Sequence, residues 1–334
     1  MIKTDSLTRR LFAQDASMYQ EMPQGVSFPK TENDIRDLVL KANEEQFTIT
    51  ARSAGTSLAG QTTGNGVIMD VSRYMTEIFE IDPENRTVNL QPGVIRDILN
   101  LETAPHNLFF GPDTSTTNRC MIGGMIGNNS SGSFSIKNKT TREHVLSMNV
   151  VLSDGSLATF KPLSEAELEE KTKLDNLEGS IYRGMLSVLE KNRSLITENY
   201  PHPEIIRRNT GYALDRLLEM KPFTPNGRDF NLCELLCGSE GTLAMTTSAL
   251  LNLNETDSIE KIVIAQFDNL NDAMVATVDA VDLKPGAVEL IDDIILNATK
   301  DNPEQSQNRF FLEGEPKGIL VIQFVDNDEK IIQN

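Results

Sequence analysis

The chain has 334 residues, of which 39% are hydrophobic and 24% are charged, and its formal net charge is −18. These values are ordinary for a globular protein large enough to bury an extensive core, in two domains or in one domain and part of another. The negative charge disfavours nucleic-acid binding, because phosphate contacts need clustered Lys and Arg, and it disfavours electrostatic docking on an anionic membrane.

We find no pattern in the sequence that predicts a membrane-spanning helix or a signal peptide. No apolar run is long enough for a membrane-spanning helix, and the first residues lack the apolar core of a signal peptide. The cysteines form no C-x-x-C pair, which suits a reducing compartment. We interpret Cys120 as a small buried residue, and Cys233 and Cys237 as core residues of a strand. We expect a cytoplasmic protein, with any contact to the inner membrane made through a partner.

At the N-terminus, the first twenty residues predict an arm with a short amphipathic helix, and a folded domain begins near Glu21. Thr31 and Asp34 have the spacing of a capping pair and predict the start of a helix. Four apolar residues share one face of that helix: Ile35, Leu38, Val39 and Ala42.

The segment Ala51–Gln61 lies between two short apolar runs and predicts a strand, a phosphate-sized turn and a second strand. Arg52 supplies positive charge, and Gly55 and Gly60 let a ligand approach the main chain. Three hydroxyl side chains add donors: Ser53, Thr56 and Ser57. This composition suits a pyrophosphate, although no Walker lysine follows the glycines and G-x-G-x-x-G does not occur.

Two strand-forming runs, 78–81 and 87–90, flank Asp82-Pro83-Glu84-Asn85 and predict a hairpin. Pro92-Gly93 ends it. A short helix is expected at 94–101.

The stretch Met121–Gly132 combines bare backbone with small polar groups amid apolar side chains. Glycines lack a Cβ and let main-chain N–H groups converge on an anion. A solvated loop has little use for the apolar residues between the glycines: Met121, Ile122, Met125 and Ile126. We therefore interpret the stretch as lining a ligand rather than as a plain surface loop.

Beyond this stretch, strands at 145–152 and 157–160 are expected on either side of an Asp154-Gly155 turn. Helices are predicted at 164–173 and 181–198. The second helix has five apolar residues on its predicted buried side: Ile181, Met185, Val188, Leu189 and Leu195.

A loop at 221–229 then leads to a third glycine segment, Leu236–Leu243. From residue 258 the pattern changes to strand, helix, strand, helix, strand: 262–267, 271–281, 287–291, 292–299 and 318–324. This order predicts the opening of an α+β cap domain. We expect the chain to be the N-terminal piece of a longer polypeptide.

Three motifs occur in a defined order. They are R-S-A-G-T-S-L-A-G at 52–60, then G-P-D-T-S at 111–115 with I-G-G-M-I-G-N-N-S-S-G at 122–132, and then G-S-E-G-T-L at 238–243. The ordered set resembles the FAD-binding domain of the vanillyl-alcohol-oxidase type flavoenzymes. The R-N-T-G-Y-A-L-D stretch at 208–215 resembles their D-lactate, glycolate and D-2-hydroxyglutarate dehydrogenase branch. The resemblance covers residues 20–255 and continues more faintly to the end.

The resemblance implies an α+β fold, with a PCMH-type FAD-binding domain of two α+β subdomains followed by the incomplete start of a ferredoxin-like cap. It divides the chain into an N-terminal arm at 1–20, an FAD-binding domain at 21–254 and a partial substrate or cap domain at 255–334. The R-N-T-G-Y-A-L-D stretch favours relatives that continue into an iron–sulfur domain. An iron–sulfur cluster is therefore expected only if such a domain follows.

The same resemblance implies which residues hold FAD. Those expected around the pyrophosphate and ribityl chain are Arg52, Ser53, Ala54, Gly55, Thr56, Ser57, Gly60, Gln61, Pro112, Asp113, Thr114, Ser115, Met121, Gly123, Gly124, Met125, Asn128, Asn129, Ser130 and Gly132. Ser239, Glu240, Gly241 and Thr242 are expected on the adenosine or dimethylbenzene side. His144 is expected near the cofactor. Some relatives tether the flavin through a histidine where this chain has Thr56, so FAD is expected to bind noncovalently.

The implied reaction is hydride removal from the α-carbon of a D-2-hydroxy acid, such as D-lactate, glycolate or D-2-hydroxyglutarate, to flavin N5, which gives the 2-oxo acid. The electrons would pass to an iron–sulfur domain, a quinone or an electron-transfer protein. Arg142, Arg207 and Arg208 are candidates for carboxylate binding, against an ordinary structural role. Tyr212 either lines the flavin face or packs beneath it, and Glu240 either bonds the cofactor or caps a turn. No catalytic residue is assigned.

Two other functions stay open from the sequence. One is a flavin-binding electron-transfer module without its own substrate site, and the other is a non-flavin binder of another phosphate compound, for example a nucleotide sugar. No metal is expected, because the histidines His106, His144 and His202 are not spaced as ligands.

Overall fold

The structure, a computed structural model, describes residues 2–205, 207–208, 211–328 and 330. It contains helices together with several separate sheets, which confirms the predicted α+β fold class. Among the described residues, no helix combines the length and the apolar character that a membrane span requires.

The strands are β1 (Ile2–Lys3), β2 (Gly25–Ser27), β3 (Ile49–Arg52), β4 (Val67–Asp70), β5 (Ile78–Asp82), β6 (Thr87–Leu90), β7 (Leu108–Phe109), β8 (Val145–Val151), β9 (Leu157–Phe160), β10 (Met245–Asn252), β11 (Asn254–Glu255), β12 (Ile259–Phe267), β13 (Ala287–Asp292) and β14 (Gly318–Asp326). The α-helices are α1 (Ser6–Leu11), α2 (Glu32–Glu45), α3 (Arg96–Thr103), α4 (Ile122–Asn128), α5 (Ser135–Asn138), α6 (Glu165–Lys173), α7 (Leu177–Lys191), α8 (Arg193–Asn199), α9 (Leu214–Leu218), α10 (Cys233–Leu236), α11 (Leu270–Asp282) and α12 (Asp293–Ala298).

Two compact units make up the chain. The first consists of Met1–Phe110, Thr114–Ser130 and Thr140–Asn254, and the second of Gly111–Asp113, Ser131–Lys139 and Glu255–Asn334. The arm, FAD-binding domain and cap boundaries drawn from the sequence stay predictions.

The first unit contains two sheets that carry the loops of interest. In the smaller sheet the strand order is β1-β2-β4-β3, and β4 runs parallel to both β2 and β3. Strand β1 pairs antiparallel with β2, so the start of the N-terminal arm belongs to this sheet. The larger sheet has the order β5-β6-β10-β8-β9 with antiparallel neighbours throughout.

Helix α2 begins where the capping pair predicts. The Thr31 hydroxyl accepts a hydrogen bond from Asp34 N at 3.2 Å, and the Asp34 carboxylate accepts one from Thr31 N at 3.0 Å. The four predicted apolar residues of its face are all buried. Three of them pack in one core with Val67 and Met69 of β4. The helix therefore stabilises β4, the strand that lies between the loop after β3 and the segment that begins at Val71.

Both predicted hairpins of the larger sheet are confirmed. Ile81 pairs with Val88 across the first, and Val151 with Leu157 across the second. The carboxylate of Asp82 accepts a hydrogen bond from Asn85 N at 3.0 Å, which is the turn chemistry that the sequence predicted.

The predicted helix at 181–198 is wrong in its continuity. Helix α7 ends at Lys191 and α8 begins at Arg193, because Asn192 leaves the helical conformation and its side-chain amide donates to Val188 O at 2.8 Å. Val188 and Leu195 are 43% and 60% exposed, so neither belongs to a buried side as predicted.

The assignment of Cys233 and Cys237 to a strand is also wrong, since Cys233 is the first residue of α10 and Cys237 is the C-cap that follows its last residue. The side chain of Asn231 accepts a hydrogen bond from Cys233 N at 3.0 Å and starts this turn of helix, which a local apolar run does not reveal. Both thiols are buried, as is that of Cys120. Burial raises the pKa of all three thiols and leaves them protonated and unreactive.

In the second unit, the predicted order of strand, helix, strand, helix, strand is confirmed by β12, α11, β13, α12 and β14. The strand order is β12-β14-β13, and both pairs are antiparallel. Ala273 and Ala280 form the buried stripe of α11.

Candidate functional site

Three segments that are distant in the sequence line one cleft of the first unit: the loop after β3, helix α4 and the turn after α10. The cleft has a volume of about 770 Å³ including its part open to solvent. Its lining residues are Ala51, Arg52, Ser53, Ser57, Gln61, Thr62, Met69, Val71, Pro92, Gly123, Gly124, Ile126, Gly127, Asn128, Leu236, Ser239, Glu240, Gly241, Ala244, Met245 and Thr246.

The second glycine segment forms helix α4 instead of an irregular cradle. Its first N–H groups are used by the protein, since Ile122 N donates to Val94 O at 2.9 Å and Gly123 N donates to Pro92 O at 2.7 Å. A Cβ on Gly123 would lie 2.6 Å from Pro92 Cβ, so only glycine permits this approach. Ile122 and Met125 of this helix are buried and do not line the cleft, whereas Ile126 is buried and lines it, which explains the mixed composition of the stretch.

The turn after α10 is joined to α4 by main-chain hydrogen bonds. Gly238 N donates to Ile126 O and Glu240 N donates to Gly127 O, both at 2.9 Å. Gly241 has φ +73°, a conformation that side chains with a Cβ rarely adopt. The G-S-E-G motif and the I-G-G-M-I-G motif thus form one wall of the cleft.

Arg52 lines the cleft but is occupied by the N-terminal arm. Its Nη1 donates to Gln14 O at 2.7 Å, and the guanidinium carbon lies 5.1 Å from the centroid of the Phe12 ring. Burial lowers the pKa of Arg52, while the charges of Asp70 and Asp15 act to raise it. Among the lining residues that the structure describes Arg52 is the only cation, so a bound anion would depend on neutral donors.

Neutral donors are present around the cleft, and several have no partner in the part of the chain that the structure describes. Across the described residues, the backbone N–H groups of Ser57, Gly124 and Gly241 donate to no acceptor, and the hydroxyls of Ser53, Ser57 and Ser239 make no hydrogen bond. Ser239 is only 5% exposed, and it lines the cleft. Polar groups without partners in a concave site indicate a ligand that completes them.

Other lining side chains are polar, namely Gln61, Thr62, Asn128, Glu240 and Thr246, and a further set is apolar. The apolar ones come from the end of β4, from α4, from α10 and from the start of β10: Met69, Val71, Ile126, Leu236, Ala244 and Met245. The cleft therefore offers a polar region for an anion and apolar walls for a planar ring.

A second cavity of about 650 Å³ shares Asn128, Ser239 and Glu240 with this cleft. Its other lining residues are Gly211, Tyr212, Gly238 and Thr242. The hydroxyls of Tyr212 and Thr242 are 2.8 Å apart, and the phenol of Tyr200 donates to Tyr212 O at 2.6 Å. The two cavities therefore adjoin each other at the G-S-E-G turn, where they share lining residues.

The predicted cofactor residues divide into three sets. Those that line the first cleft are Arg52, Ser53, Ser57, Gln61, Gly123, Gly124, Asn128, Glu240 and Gly241, and Thr242 lines the second cavity. Those of the first unit that line neither are Ala54, Gly55, Thr56, Gly60, Thr114, Ser115, Met121, Met125, Asn129, Ser130 and His144. Pro112, Asp113 and Gly132 belong to the second unit. Cofactor contact stays a prediction for every one of them.

His144 lies in the core of the first unit with 4% of its surface exposed. Its Nδ1 is 3.1 Å from Asn252 O, and its ring stacks edge-on against Phe110 at a centroid distance of 5.4 Å. These contacts favour the structural interpretation of this histidine.

Arg142, a candidate for binding a substrate carboxylate, is buried in an ionic network. Its Nε donates to Glu234 O at 3.0 Å and its Nη2 to Cys237 O at 2.5 Å, immediately before the G-S-E-G turn. Glu234 also pairs with Arg216 and Arg228, at 3.6 and 2.9 Å. Arg142 thus holds one wall of the cleft in place instead of facing a substrate.

The other two arginine candidates lie in the R-N-T-G-Y-A-L-D region. Arg208 pairs with Asp215 and donates to Pro201 O at 2.8 Å, whereas Arg207 is exposed. Asn209 and Thr210 of the same motif lie outside the described residues. Across the described ranges, no group of three or more His, Cys, Asp or Glu side chains is arranged to hold a metal ion.

Several lining residues are missing from the sequence prediction, namely Thr62, Met69, Val71, Pro92, Leu236, Ala244, Met245 and Thr246. Met69 and Val71 follow the period-two spacing of β4, a signal that identifies one face of a strand but not what the face covers. The others reach the cleft only through tertiary contacts.

Comparison with known proteins shows which families the chain resembles. A model of the family described as "FAD binding domain" matches residues 23–161. The D-2-hydroxyglutarate dehydrogenase of Pantoea ananatis is 32% identical over 332 residues, which are 97% of this chain and 32% of that protein. That of Escherichia coli K12 is 32% identical over 336 residues, or 98% of this chain and 32% of that protein. Glycolate oxidase subunit GlcD of Bacillus subtilis is 27% identical over 298 residues, or 88% of this chain and 51% of that protein.

A solved structure of alkyldihydroxyacetonephosphate synthase shares the fold with a TM-score of 0.66 at 15% identity, covering 99% of this chain and 54% of that one. The chain spans about a third of the length of the D-2-hydroxyglutarate dehydrogenases that it matches. Residues 23–161 of the chain thus match the FAD binding domain, and the chain is similar to FAD-linked dehydrogenases and oxidase subunits of 2-hydroxy acids.

Proposed function

We propose that this chain holds FAD noncovalently in the cleft of the first unit, as the flavin-binding part of an enzyme that oxidises a D-2-hydroxy acid to the 2-oxo acid. The observation that carries the proposal is the group of unpartnered donors on three separate segments, Ser57, Gly124 and Gly241, around one cleft. The D-2-hydroxyglutarate dehydrogenases, 32% identical to this chain, support the substrate class.

The lining suits the two chemical parts of FAD. Its diphosphate needs several converging donors, and three N–H groups with the Ser53 and Ser239 hydroxyls can supply them. Its ring systems need flat apolar walls, which the residues of β4, α4 and α10 provide. Because Arg52 is already bonded to Gln14 O, main-chain dipoles would carry most of the charge stabilisation.

When bound, the flavin would supply the hydride acceptor, N5, for the hydrogen on the substrate α-carbon. The residues of this chain bind and orient the cofactor and exclude water from its apolar faces. Arg142 acts indirectly, by fixing the carbonyls that precede the G-S-E-G turn. We propose D-2-hydroxyglutarate as the first substrate to test, with D-lactate and glycolate as the other members of the class.

The electron acceptor follows from the same proposal. An iron–sulfur domain, a quinone or an electron-transfer protein can each reoxidise a two-electron-reduced flavin. We propose a cytoplasmic enzyme in which such an acceptor takes the electrons.

One observation favours a second function, a flavin-binding electron-transfer module without its own substrate site. A carboxylate substrate needs a cation, yet Arg52 is the only cation among the described residues that line the cleft, and it is already engaged. No observation favours a non-flavin phosphate binder, and the match to the FAD binding domain favours a flavin instead.

The test is the visible spectrum of the purified protein after incubation with FAD and gel filtration, followed by additions of D-2-hydroxy acids under argon. We expect a flavin spectrum that D-2-hydroxyglutarate, D-lactate or glycolate bleaches in the full-length polypeptide. A yellow protein that none of the acids bleaches would support the electron-transfer module. A protein that stays colourless with excess FAD would refute both.

A further inference from the structure

A third concavity of the first unit, the cationic cleft, lies away from the three glycine segments, at the carboxyl ends of the parallel strands β2 and β4. Strand β2 ends at Ser27 and β4 at Asp70, and the chain after each strand lines the cleft. Its volume is about 1340 Å³ including open solvent. The lining residues are Ile2, Lys3, Ser27, Phe28, Pro29, Lys30, Asp34, Asp37, Leu38, Lys41, Arg73 and Tyr74. In open sheets, the carboxyl ends of parallel strands are where small ligands most often bind.

Cations and aromatic rings alternate along this cleft. The Phe28 ring has Lys3 Nζ at 5.5 Å and the Arg73 guanidinium carbon at 5.3 Å from its centroid. The Tyr74 ring has Arg73 at 5.6 Å and Lys30 Nζ at 5.0 Å. Each cation is within the range of a favourable interaction with a ring face, so the rings fix the positions of three positive charges.

The three cations lack close ion-pair partners among the described residues. Within the described ranges, Lys3, Lys30 and Arg73 form no ion pair with a carboxylate, and the Arg73 guanidinium donates no hydrogen bond. Asp34, which also lines the cleft, is occupied by the backbone N–H groups of Lys30 and Thr31. The lining contains four cationic side chains and two carboxylates, and in a chain of net charge −18 such a local excess of positive charge indicates a site for an anion.

The position of Arg73 suits recognition of an oxyanion. The Arg73 guanidinium lies near both rings, and its planar N–H groups can donate in pairs to a carboxylate or phosphate. Lys3 and Lys30 then stand on either side as point charges. Purely structural cation–ring contacts would not require three cations that lack ion-pair partners among the described residues.

We propose that this cleft binds a small multivalent oxyanion, a compound with two or more phosphate or carboxylate groups. A small ligand is favoured over an acidic polypeptide because the cations line one cleft, whose lining also contains the carboxylates of Asp34 and Asp37. The segment after β4 connects the two sites, since Met69 and Val71 line the first cleft, and Arg73 and Tyr74 line this one.

Calorimetric titration of the chain with inorganic pyrophosphate and with citrate tests the proposal. Saturating FAD is present, so that the first cleft is not available to the probes. We expect one binding site, with Kd weakened at least tenfold by Arg73→Gln and by Lys30→Gln. The matched control is Arg36→Gln, which removes the same charge from an exposed position of α2 outside the cleft and should change Kd by less than twofold.

The outcomes separate the sources of the anion. Binding of pyrophosphate alone assigns a phosphate compound, binding of citrate alone assigns a polycarboxylate, and binding of both assigns the shared oxyanion chemistry. The proposal is overturned if neither probe binds, if Arg36→Gln weakens binding as much as Arg73→Gln, or if only an acidic peptide such as decaglutamate binds. Circular dichroism of each variant confirms folding, and Lys30→Gln provides an independent test should Arg73→Gln misfold.

Discussion

Valine at position 124 would fill the first cleft from helix α4 while leaving the fold of the first unit in place. Gly124 is exposed in this helix, and its conformation is one that a residue with a Cβ adopts readily. A Cβ there would lie 2.6 Å from Ser53 Oγ, so the Ser53 hydroxyl would have to rotate away. The two valine methyl groups would then occupy space between the helix and the loop after β3.

The expected loss of affinity follows from the donors that are removed. FAD would lose the Gly124 N–H and the Ser53 hydroxyl, and a hydrogen bond to a charged group contributes roughly 1.5–3 kcal/mol. Two such bonds amount to about 3–6 kcal/mol, or a Kd weakened by at least about 100-fold. The stability of the apo chain should stay within about 1 kcal/mol, because replacing glycine within a helix is favourable by roughly 0.5–1 kcal/mol for alanine and by less for valine.

Fluorescence titration with FAD and thermal unfolding of the apo chain measure these two quantities separately. The control is Gly184→Val in α7, where an added Cβ would have no heavy atom within 4 Å. The control should bind FAD as the original chain does. If Gly124→Val binds FAD with unchanged affinity, or if both variants lose it equally, α4 does not form a wall of the flavin site.

Three further predictions concern the framework around the cleft. Arg142→Met leaves buried carbonyls and a buried carboxylate without their partner, and urea unfolding should show a loss of roughly 3–5 kcal/mol. Burial acts to raise the pKa of Glu143, but a threonine hydroxyl and the charge of Arg216 hold it below its ordinary value. Its stabilisation is therefore present above the unfolded pKa of about 4.3 and is lost as pH falls through the folded pKa, so Glu143→Gln should be less stable than the original chain at pH 7 and equally stable near pH 2. Leu189→Ala should cost about 2–5 kcal/mol and Leu195→Ala less than about 0.5 kcal/mol in the same assay.

Each of these has a contrary result. Unchanged stability of Arg142→Met would show that the ionic network does not hold the turn after α10. A difference between Glu143→Gln and the original chain that stays constant from pH 7 to pH 2 would contradict the direction of the pKa shift. Equal costs for Leu189→Ala and Leu195→Ala would show that Leu195 is buried, as the sequence predicted.

Elements with a strong local signal could be predicted from the sequence. The capping pair Thr31 and Asp34 marks the start of α2, and the turn Asp82–Asn85 marks a hairpin, because the hydrogen bonds involved span three residues. The glycine motifs likewise indicated a ligand site, and the first cleft brings parts of all three together.

Features that depend on distant contacts could not be predicted. Helix α4 contains Gly123, Gly124 and Gly127, a poor helix-forming composition, and its start is fixed by the carbonyls of Pro92 and Val94. The role of Arg142 depends on carbonyls 92 and 95 residues further along the chain. The break between α7 and α8 depends on one asparagine side chain, which hydrophobic periodicity does not register.

Hydrogen–deuterium exchange with and without FAD tests most directly whether three separated segments hold one cofactor. We expect FAD to slow exchange together in the loop at 53–61, in α4 and in the turn at 238–242, where the unpartnered N–H groups of Ser57, Gly124 and Gly241 lie. The cleft around β2 and Arg73 should be unaffected. Tight FAD binding that leaves any of these three segments unprotected would contradict the assignment of the cleft.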